Sequence, residues 1–308
     1  MTLEMLNVTK KFGDKIALED LSMTVEEGQV MGLIGQNGAG KTTAFRIILD
    51  FIEANQGTVT WQGKPINQEI KKHIGFLPEE RGLYQKMSVE DQILYFAELH
   101  GMSRADAKIK LHDWMERLEV VGKVTDKIQT LSKGNAQKIQ FIATLIHEPE
   151  FLILDEPFTG LDPVNTEILM NEIRRLKNQG AAIIFSSHNM SGVELLSDNL
   201  TMLKAGKTVL QGSVQGIRES FGRTKIYLES PISDEELLGI SGVEKLEKEG
   251  TGRVLRLSDE FAGQEIFKAV SIDGYVQAFV QSPPTLDEIF RLEATSENEE
   301  TMKGESHA

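Results

Sequence analysis

Cysteine is absent from this 308-residue sequence, which excludes disulfide scaffolds, thiolate metal sites and cysteine nucleophiles together. Long apolar runs are absent as well. The best of them, such as 151–154 and 181–185, fall far short of the roughly 18 residues a membrane-spanning helix requires. No basic, apolar, small-residue leader opens the chain, so a cytosolic location is the expectation. Cations are the scarcer charge: 33 Lys+Arg stand against 47 Asp+Glu, a net charge of −14. That balance argues against a nucleic-acid partner, whose counterion release needs clustered Lys and Arg. What is present, 40% hydrophobic and 26% charged residues, suffices for a large core, read as one large domain plus a small one.

The charge is unevenly spread. Residues 216–308 hold 10 Lys+Arg against 19 Asp+Glu, or −9, which leaves −5 for residues 1–215. A composition boundary therefore lies near 216. Ahead of it, strand-like runs at 1–9, 17–25, 30–34, 58–61 and 74–77 alternate with a helical segment at 41–49. Ser88 and Ser103 are each followed three residues on by a carboxylate, Asp91 and Asp106, and each opens an amphipathic stretch. Residues 88–147 thus read as mostly helical. The apolar strands 151–154 and 182–185 flank a helical pattern at 165–178, a βαβ unit with buried parallel strands. Beyond 220 the order βαββαβ (225–229, 234–239, a hairpin through 249–252, 263–270, 275–280) fits a ferredoxin-like unit. Residues 295–308 are polar, acidic and read as disordered.

Gly35-Gln36-Asn37-Gly38-Ala39-Gly40-Lys41-Thr42 satisfies the phosphate-loop pattern G-x-x-x-x-G-K-[ST]. It follows an apolar strand and opens a helix, so backbone N–H groups and the positive helix end face an anion. Lys41 adds a point charge, and the Thr42 hydroxyl is a magnesium ligand. Downstream, four apolar residues end in Asp155-Glu156, which puts two acids at the carboxyl edge of a parallel sheet, where ligands bind. Asp155 is expected to hold Mg²⁺ through water and Glu156 to polarise the attacking water as general base.

These residues resemble the ATP-binding subunits of ABC transporters over roughly residues 1–215. Leu131-Ser132-Lys133-Gly134-Asn135 is similar to that family's signature Leu-Ser-Gly-Gly-Gln, Leu161-Asp162 follows Glu156 as its D-loop does, and His188 ends a strand as its switch histidine does. The resemblance implies an α/β P-loop ATPase core with a helical subdomain at about 88–147, residues 1–220 in all. A small α+β accessory domain at 221–294 and an acidic tail at 295–308 follow. It implies ATP bound by Phe12, Gly35, Asn37, Gly38, Ala39, Gly40, Lys41, Thr42 and Thr43, with Phe12 stacked on adenine. Ser132, Gly134 and Asn135 would reach the nucleotide of a second subunit in an ATP-sandwich dimer, with Asp162 organising the interface. Ser132 and Gly134 suit an anion site at the start of a helix, expected at 136–147, although a plain helix cap accounts for Ser132 equally. Catalysis would rest on Glu156 and His188, and magnesium on Thr42, Asp155 and Glu79.

Two departures stand out. Lys133 and Asn135 replace Gly and Gln of the signature, and Glu79 stands where the family carries the Q-loop glutamine. A carboxylate remains a hard oxygen donor for magnesium. The function implied is an ATPase subunit, a homodimer or one of a pair, that energises a separate permease from the cytoplasmic face of the membrane. The appended acidic domain, ending with Ser282-Pro283-Pro284-Thr285-Leu286-Asp287-Glu288-Ile289-Phe290, resembles that of bacterial exporter ATPases for sodium, drugs or similar compounds. The alternative is a non-transport ABC ATPase acting on ribosomes or DNA, a class that carries two cassettes, a long coiled coil or basic patches; this chain has one phosphate loop and no heptads.

Overall fold

The computed structural model describes residues 2–80, 82–272 and 275–293. The chain separates into two compact units, Met1–Gln211 and Gly212–Ala308, so the division falls a few residues ahead of the composition boundary. The acidic tail expected at 295–308 lies outside the described residues.

The first unit opens with β1 (Thr2–Phe12) and β2 (Lys15–Glu26), joined by a tight turn at Gly13, then β3 (Val30–Gly35) and helix α1 (Lys41–Ile48). Next come β4 (Gln56–Trp61), the two-residue β5 (Lys64–Pro65), α2 (Gln68–Lys71) and β6 (Ile74–Leu77). Three helices follow, α3 (Val89–Leu99), α4 (Arg104–Arg117) and α5 (Lys133–Leu145). The unit closes through β7 (Phe151–Asp155), α6 (Pro163–Asn178), β8 (Ala182–Ser186), α7 (Met190–Leu196), β9 (Asn199–Lys204) and β10 (Lys207–Ser213).

Two sheets result. An antiparallel one has the order β2-β1-β4-β5, and a six-stranded one runs β10-β9-β3-β8-β7-β6, with β6, β7, β8, β3 and β9 in parallel register. Every residue of β3, β7 and β8 is buried, as expected of central parallel strands covered on both faces. The β1 pattern is half-buried instead: Leu3, Met5 and Val8 point inward. These join Phe45 and Ile48 of α1, Trp61, and Phe151 and Ile153 of β7 in one apolar core. Trp61 stacks on Phe151 with centroids 5.2 Å apart. Removing a fully buried ring such as Phe151 would cost about 3–5 kcal/mol.

The helical region between β6 and β7 is built on its caps. Ser88 and Ser103 accept the backbone N–H of Asp91 and Asp106, each at 3.1 Å, satisfying first-turn donors that would otherwise be orphaned. Helix α5 starts at Lys133 rather than at 136, because the Ser132 hydroxyl accepts the Asn135 N–H at 3.2 Å and draws Lys133, Gly134 and Asn135 into the first turn. Beyond the apolar strand at 182–185, α7, β9 and β10 follow, none of which the sequence patterns predict. Gly63-Lys64-Pro65 reads as a turn in the sequence, but Lys64–Pro65 form a strand at the sheet edge, where the missing proline N–H is tolerated.

The second unit contains α8 (Val214–Ser220), β11 (Lys225–Glu229), α9 (Asp234–Gly239), β12 (Val243–Glu249), β13 (Gly252–Leu257), α10 (Ala262–Ile272), β14 (Ala278–Ser282) and a helix over residues 286–293. Its sheet has the order β12-β13-β11-β14, with antiparallel neighbours throughout. Both βαβ segments therefore skip one strand, the ferredoxin-like arrangement. Ile226, Leu228, Leu255 and Leu257 of the sheet face Leu237 of α9 and Ile266 and Val270 of α10. The last strand begins at Ala278 rather than 275, since the five residues of β11 pair with 278–282. The final helix was not foreseen.

In the first unit His100 and His147 stack with ring centroids 3.6 Å apart. Burial pushes His147 down to about 3, with the neighbouring His100 adding to the shift and the Ile74 carbonyl opposing it; burial lowers His100 too. In the unfolded chain these rings protonate near pH 6.5. Stability is therefore fully present above that pH and falls as pH drops toward 3, because the unfolded state binds the protons. Replacing His147 by Gln should flatten the slope of unfolding free energy between pH 4 and 6 by up to about 1.4 kcal/mol per pH unit. Urea unfolding followed by the fluorescence of Trp61 and Trp114, both in this unit, reads it directly.

Candidate functional site

The loop between β3 and α1 wraps around a lysine. Lys41 is 8% exposed, and its Nζ donates to the carbonyls of Gly35 at 2.7 Å and Gln36 at 3.3 Å. The ammonium thus sits inside the ring the loop makes. Two glycines allow that shape. Gly40, the N-cap of α1, has φ +114°, and a Cβ there would meet the Ala17 carbonyl oxygen at 2.6 Å. Gly38 has φ +81° at an exposed crest facing open space, a conformation L residues rarely adopt. Gln36, Asn37 and Gly38 are exposed, Ala39 is buried, and Thr42 and Thr43 begin the helix, Thr42 exposed and Thr43 half-buried.

The carboxylates arrive from the next strands. Asp155 is 4% exposed and Ser186 fully buried. The two are register partners in the parallel pair β7/β8. Ser186 Oγ donates to Asp155 Oδ1 at 2.5 Å and accepts the Glu156 N–H at 3.0 Å. One hydroxyl therefore holds both the acid and the peptide of the next residue, which lies in left-handed backbone at φ +50°. Burial pushes the Asp155 carboxyl above its ordinary range, with Glu156 adding to the shift; the hydrogen bonds of Ser186 and Thr42 and the charge of Lys41 pull it back. Thr42, Lys41 and Asp155 accordingly converge. Glu156 Oε2 stands 2.9 Å from His188 Nδ1, and the Thr159 hydroxyl donates to the same oxygen at 3.4 Å. The carboxylate is mostly buried while the imidazole is 72% exposed.

Glu79 is exposed just past β6. Since β6 lies beside β7 in parallel register, the Glu79 loop leaves the sheet at the same edge as Asp155-Glu156. Phe12 ends β1 with a half-open ring, and Lys10 Nζ lies 5.1 Å from its centroid.

A second group gathers where α5 and α6 begin. A Cβ on Gly134 would lie 3.1 Å from Asn165 Nδ2 and 3.9 Å from Leu161. Asp162 caps α6 by accepting the Asn165 N–H at 2.9 Å, and this bond chiefly holds its carboxyl below the ordinary range. Ser132 is exposed. The Asn135 side chain turns back into its own chain and accepts the Val121 N–H at 3.0 Å, unlike its two neighbours in the motif. Nearby Gln137 donates to the Pro157 carbonyl at 3.2 Å, tying α5 to the segment after Glu156. Sequence reasoning missed Ser186, Thr159 and Gln137. Two serines closing an apolar strand opposite Asp155 were the available signal for Ser186; Gln137 had none beyond its place in a helix.

A glycine loop at a helix start, with a buried lysine and a strand-end Asp-Glu pair on one parallel sheet, defines a P-loop nucleotide-binding ATPase. Residues 18–159 match the family model described as ABC transporter, and residues 212–293 match that of the ATP-binding protein DrrA1-3-like, C-terminal domain. The chain is 44% identical to the ABC transporter ATP-binding protein YhaQ of Bacillus subtilis over 92% of its own length and 95% of that protein's. It is 31% identical to the Nod factor export ATP-binding protein I of Burkholderia lata, over 71% of this chain and 73% of the other. Among solved structures, an ATP-binding subunit of an ABC transporter superposes with a TM-score of 0.67 at 28% identity, covering 72% of this chain and 93% of that one. The chain belongs to the ABC transporter ATP-binding family, whose members bind nucleotide and hydrolyse ATP.

Losing the shared hydroxyl leaves a buried N–H and a buried carboxylate short of a partner. Ser186→Ala should destabilise the first unit by about 1–3 kcal/mol, measured by urea unfolding, and slow ATP hydrolysis while nucleotide affinity stays within a few-fold. Wild-type turnover in the folded variant would remove the clamp from the catalytic geometry.

Proposed function

We propose that this chain is the ATPase subunit of an exporter, with Glu156 as the general base. The observation that carries the reading is the Glu156 carboxylate, mostly buried and held between His188 Nδ1 and the Thr159 hydroxyl, next to a buried Asp155 that Thr42 and Lys41 also address. The exposed amides of the loop cradle the phosphates and Lys41 neutralises their outer charge. Phe12 offers a ring for the base to stack on. Glu156 accepts the proton of the attacking water, and His188 orients that carboxylate from its other side.

A divalent cation suits this donor set, which is a hydroxyl and a carboxylate, both hard oxygen ligands, with room left for phosphate oxygens. Thr42 and Asp155 would hold Mg²⁺, with Glu79 as a further oxygen donor, and the ion would neutralise charge on the phosphates. Among the described residues no cluster of three or more His, Asp or Glu side chains forms a cage by itself, consistent with a metal carried in with the nucleotide.

Ser132 and Gly134 lie at an exposed helix start and are assigned to the nucleotide of a second subunit, alongside Asp162 at the interface. Asn135 joins them through its backbone position only, its side chain being engaged by Val121. Two copies, or this chain and a similar ATPase, would thus close over two nucleotides. No helix among the described residues is long and apolar enough to cross a membrane, so transport calls for a separate permease that holds this subunit at the cytoplasmic face. A cavity of about 400 Å³ lined by Phe51, Phe76, Leu83 and Phe96 lies beside the Glu79 loop and offers an apolar seat for a permease segment. The match of residues 212–293 to the DrrA1-3-like C-terminal domain and the 31% identity to an export ATPase over 71% of the chain support export over import.

Glu156→Gln keeps the size and removes the base. Its turnover should fall at least about 100-fold while ATP binding persists and a dimer accumulates with ATP in size-exclusion chromatography. Wild-type hydrolysis by this variant would sink the assignment. Purification of the tagged chain from detergent-solubilised membranes should bring down a multi-span protein; recovery on ribosomes instead would overturn the transport reading.

A further inference from the structure

Strand β6 is the outer strand of its sheet. On its inner side the His73 carbonyl accepts the N–H groups of Glu150 at 3.0 Å and Phe151 at 3.2 Å. Because direction alternates along a strand, the carbonyls of Ile74 and Phe76 point outward, as do those of Pro78 and Glu80 where the chain runs on. An open row of buried acceptors is costly. Here side chains of α5 and the turn after it meet every member of the row. His147 Nε2 contacts the Ile74 oxygen, Thr144 Oγ1 lies within hydrogen-bond distance of the Phe76 oxygen, and Gln140 Nε2 donates to both Pro78 and Glu80, each at 3.3 Å; the Thr144 hydroxyl also reaches the Gln140 carbonyl of its own helix at 3.1 Å. The donors are spaced four and three residues apart along the helix, one stripe of its surface.

Gln140 is the unusual member. It is 4% exposed, it bridges the two carbonyls on either side of Glu79, and its own Oε1 is left without a hydrogen-bond partner. A leucine would fill that position without burying an unpaired oxygen, a liability of the kind that marks a residue kept for position rather than packing. Seven to eight residues earlier the same helix starts at Ser132.

We propose that Gln140 is a positioning residue that fixes the Glu79 loop to the helix beginning at Ser132, so that the loop and the signature segment move as one body. Since Glu79 serves the chain's own nucleotide and Ser132 the partner's, the carboxamide mechanically links the two sites of a dimer. This rests on the roles given above to Glu79 and Ser132, and the experiment separates the link from those roles.

Four variants of the full chain, Gln140→Leu, Gln140→Asn, Thr144→Val and Glu79→Ala, are compared by amide hydrogen exchange and by Mg²⁺ titration of ATP hydrolysis. Gln140→Asn retains the amide but is one methylene too short to span both carbonyls. Both Gln140 variants should exchange the Glu79 and Glu80 amides at least about five-fold faster, whereas Thr144→Val, which frees the carbonyls of Phe76 and Gln140 but leaves the Gln140 carboxamide in place, should leave them at the wild-type rate. Half-saturating Mg²⁺ should rise about three- to ten-fold in Gln140→Leu with KM for ATP within about two-fold, and adding Gln140→Leu to Glu79→Ala should change nothing more. Unaltered exchange in both Gln140 variants, or additive effects in the double variant, would overturn the proposal. Faster exchange together with a silent Glu79→Ala would uphold the clamp and overturn only the metal role of Glu79.

Discussion

Burial of β3, β7 and β8 on both faces is the constraint on which the rest of this molecule depends. Strands with no solvated face cannot hold polar side chains along their length, so polar chemistry is driven to their ends, and parallel pairing brings those ends to one edge. Gly35, Asp155 and Ser186 are the last residues of the three strands, and the loop of Lys41, the Glu156 carboxylate and His188 begin immediately after. Once there, these groups have to satisfy one another. Lys41 turns onto the loop carbonyls, Ser186 bonds Asp155 and the Glu156 amide, and Glu156 pairs with His188.

That arrangement has an energetic cost and a use. Left-handed backbone at a non-glycine residue such as Glu156 is unfavourable by about 1 kcal/mol or more, and it persists because the Ser186 hydroxyl and a buried strand hold the peptide. Hydrolysis benefits from groups already aimed before nucleotide arrives, since no reorganisation is then needed during the reaction. The same reasoning extends to α5. Its first turn carries Gly134 behind the Ser132 cap, its middle reaches the Pro157 carbonyl through Gln137 and the Glu79 loop through Gln140, and a single helix thus ties two separate segments to one another.

The second unit obeys a different constraint. Its sheet is covered on the face of α9 and α10 by Leu237, Ile266 and Val270, and β11 alternates buried and half-buried positions. Its acidity, −9 of the total −14, gathers in this unit and the tail, which leaves the ATP-binding unit with a charge compatible with a polyphosphate ligand.

The phosphate loop, the Asp-Glu pair and the serine caps at 88, 103 and 132 were legible in the sequence because each depends on neighbours within about eight residues. The alternation of strands and helices followed from periodicity on the same local grounds, while the P-loop ATPase class came from the resemblance that the motifs carry. Ser186 as a clamp, the return of Asn135 to Val121 and the contact of Gln140 with both carbonyls around Glu79 were not legible, since each joins residues 14 to 62 positions apart. Such contacts depend on strand order and helix register, which periodicity does not encode. The sequence by itself determined which groups of this protein are candidates to hold phosphate and to move a proton. Only the tertiary structure decided which of them meet, because a hydrogen bond across a sheet exists only after burial has fixed the distance between its two ends.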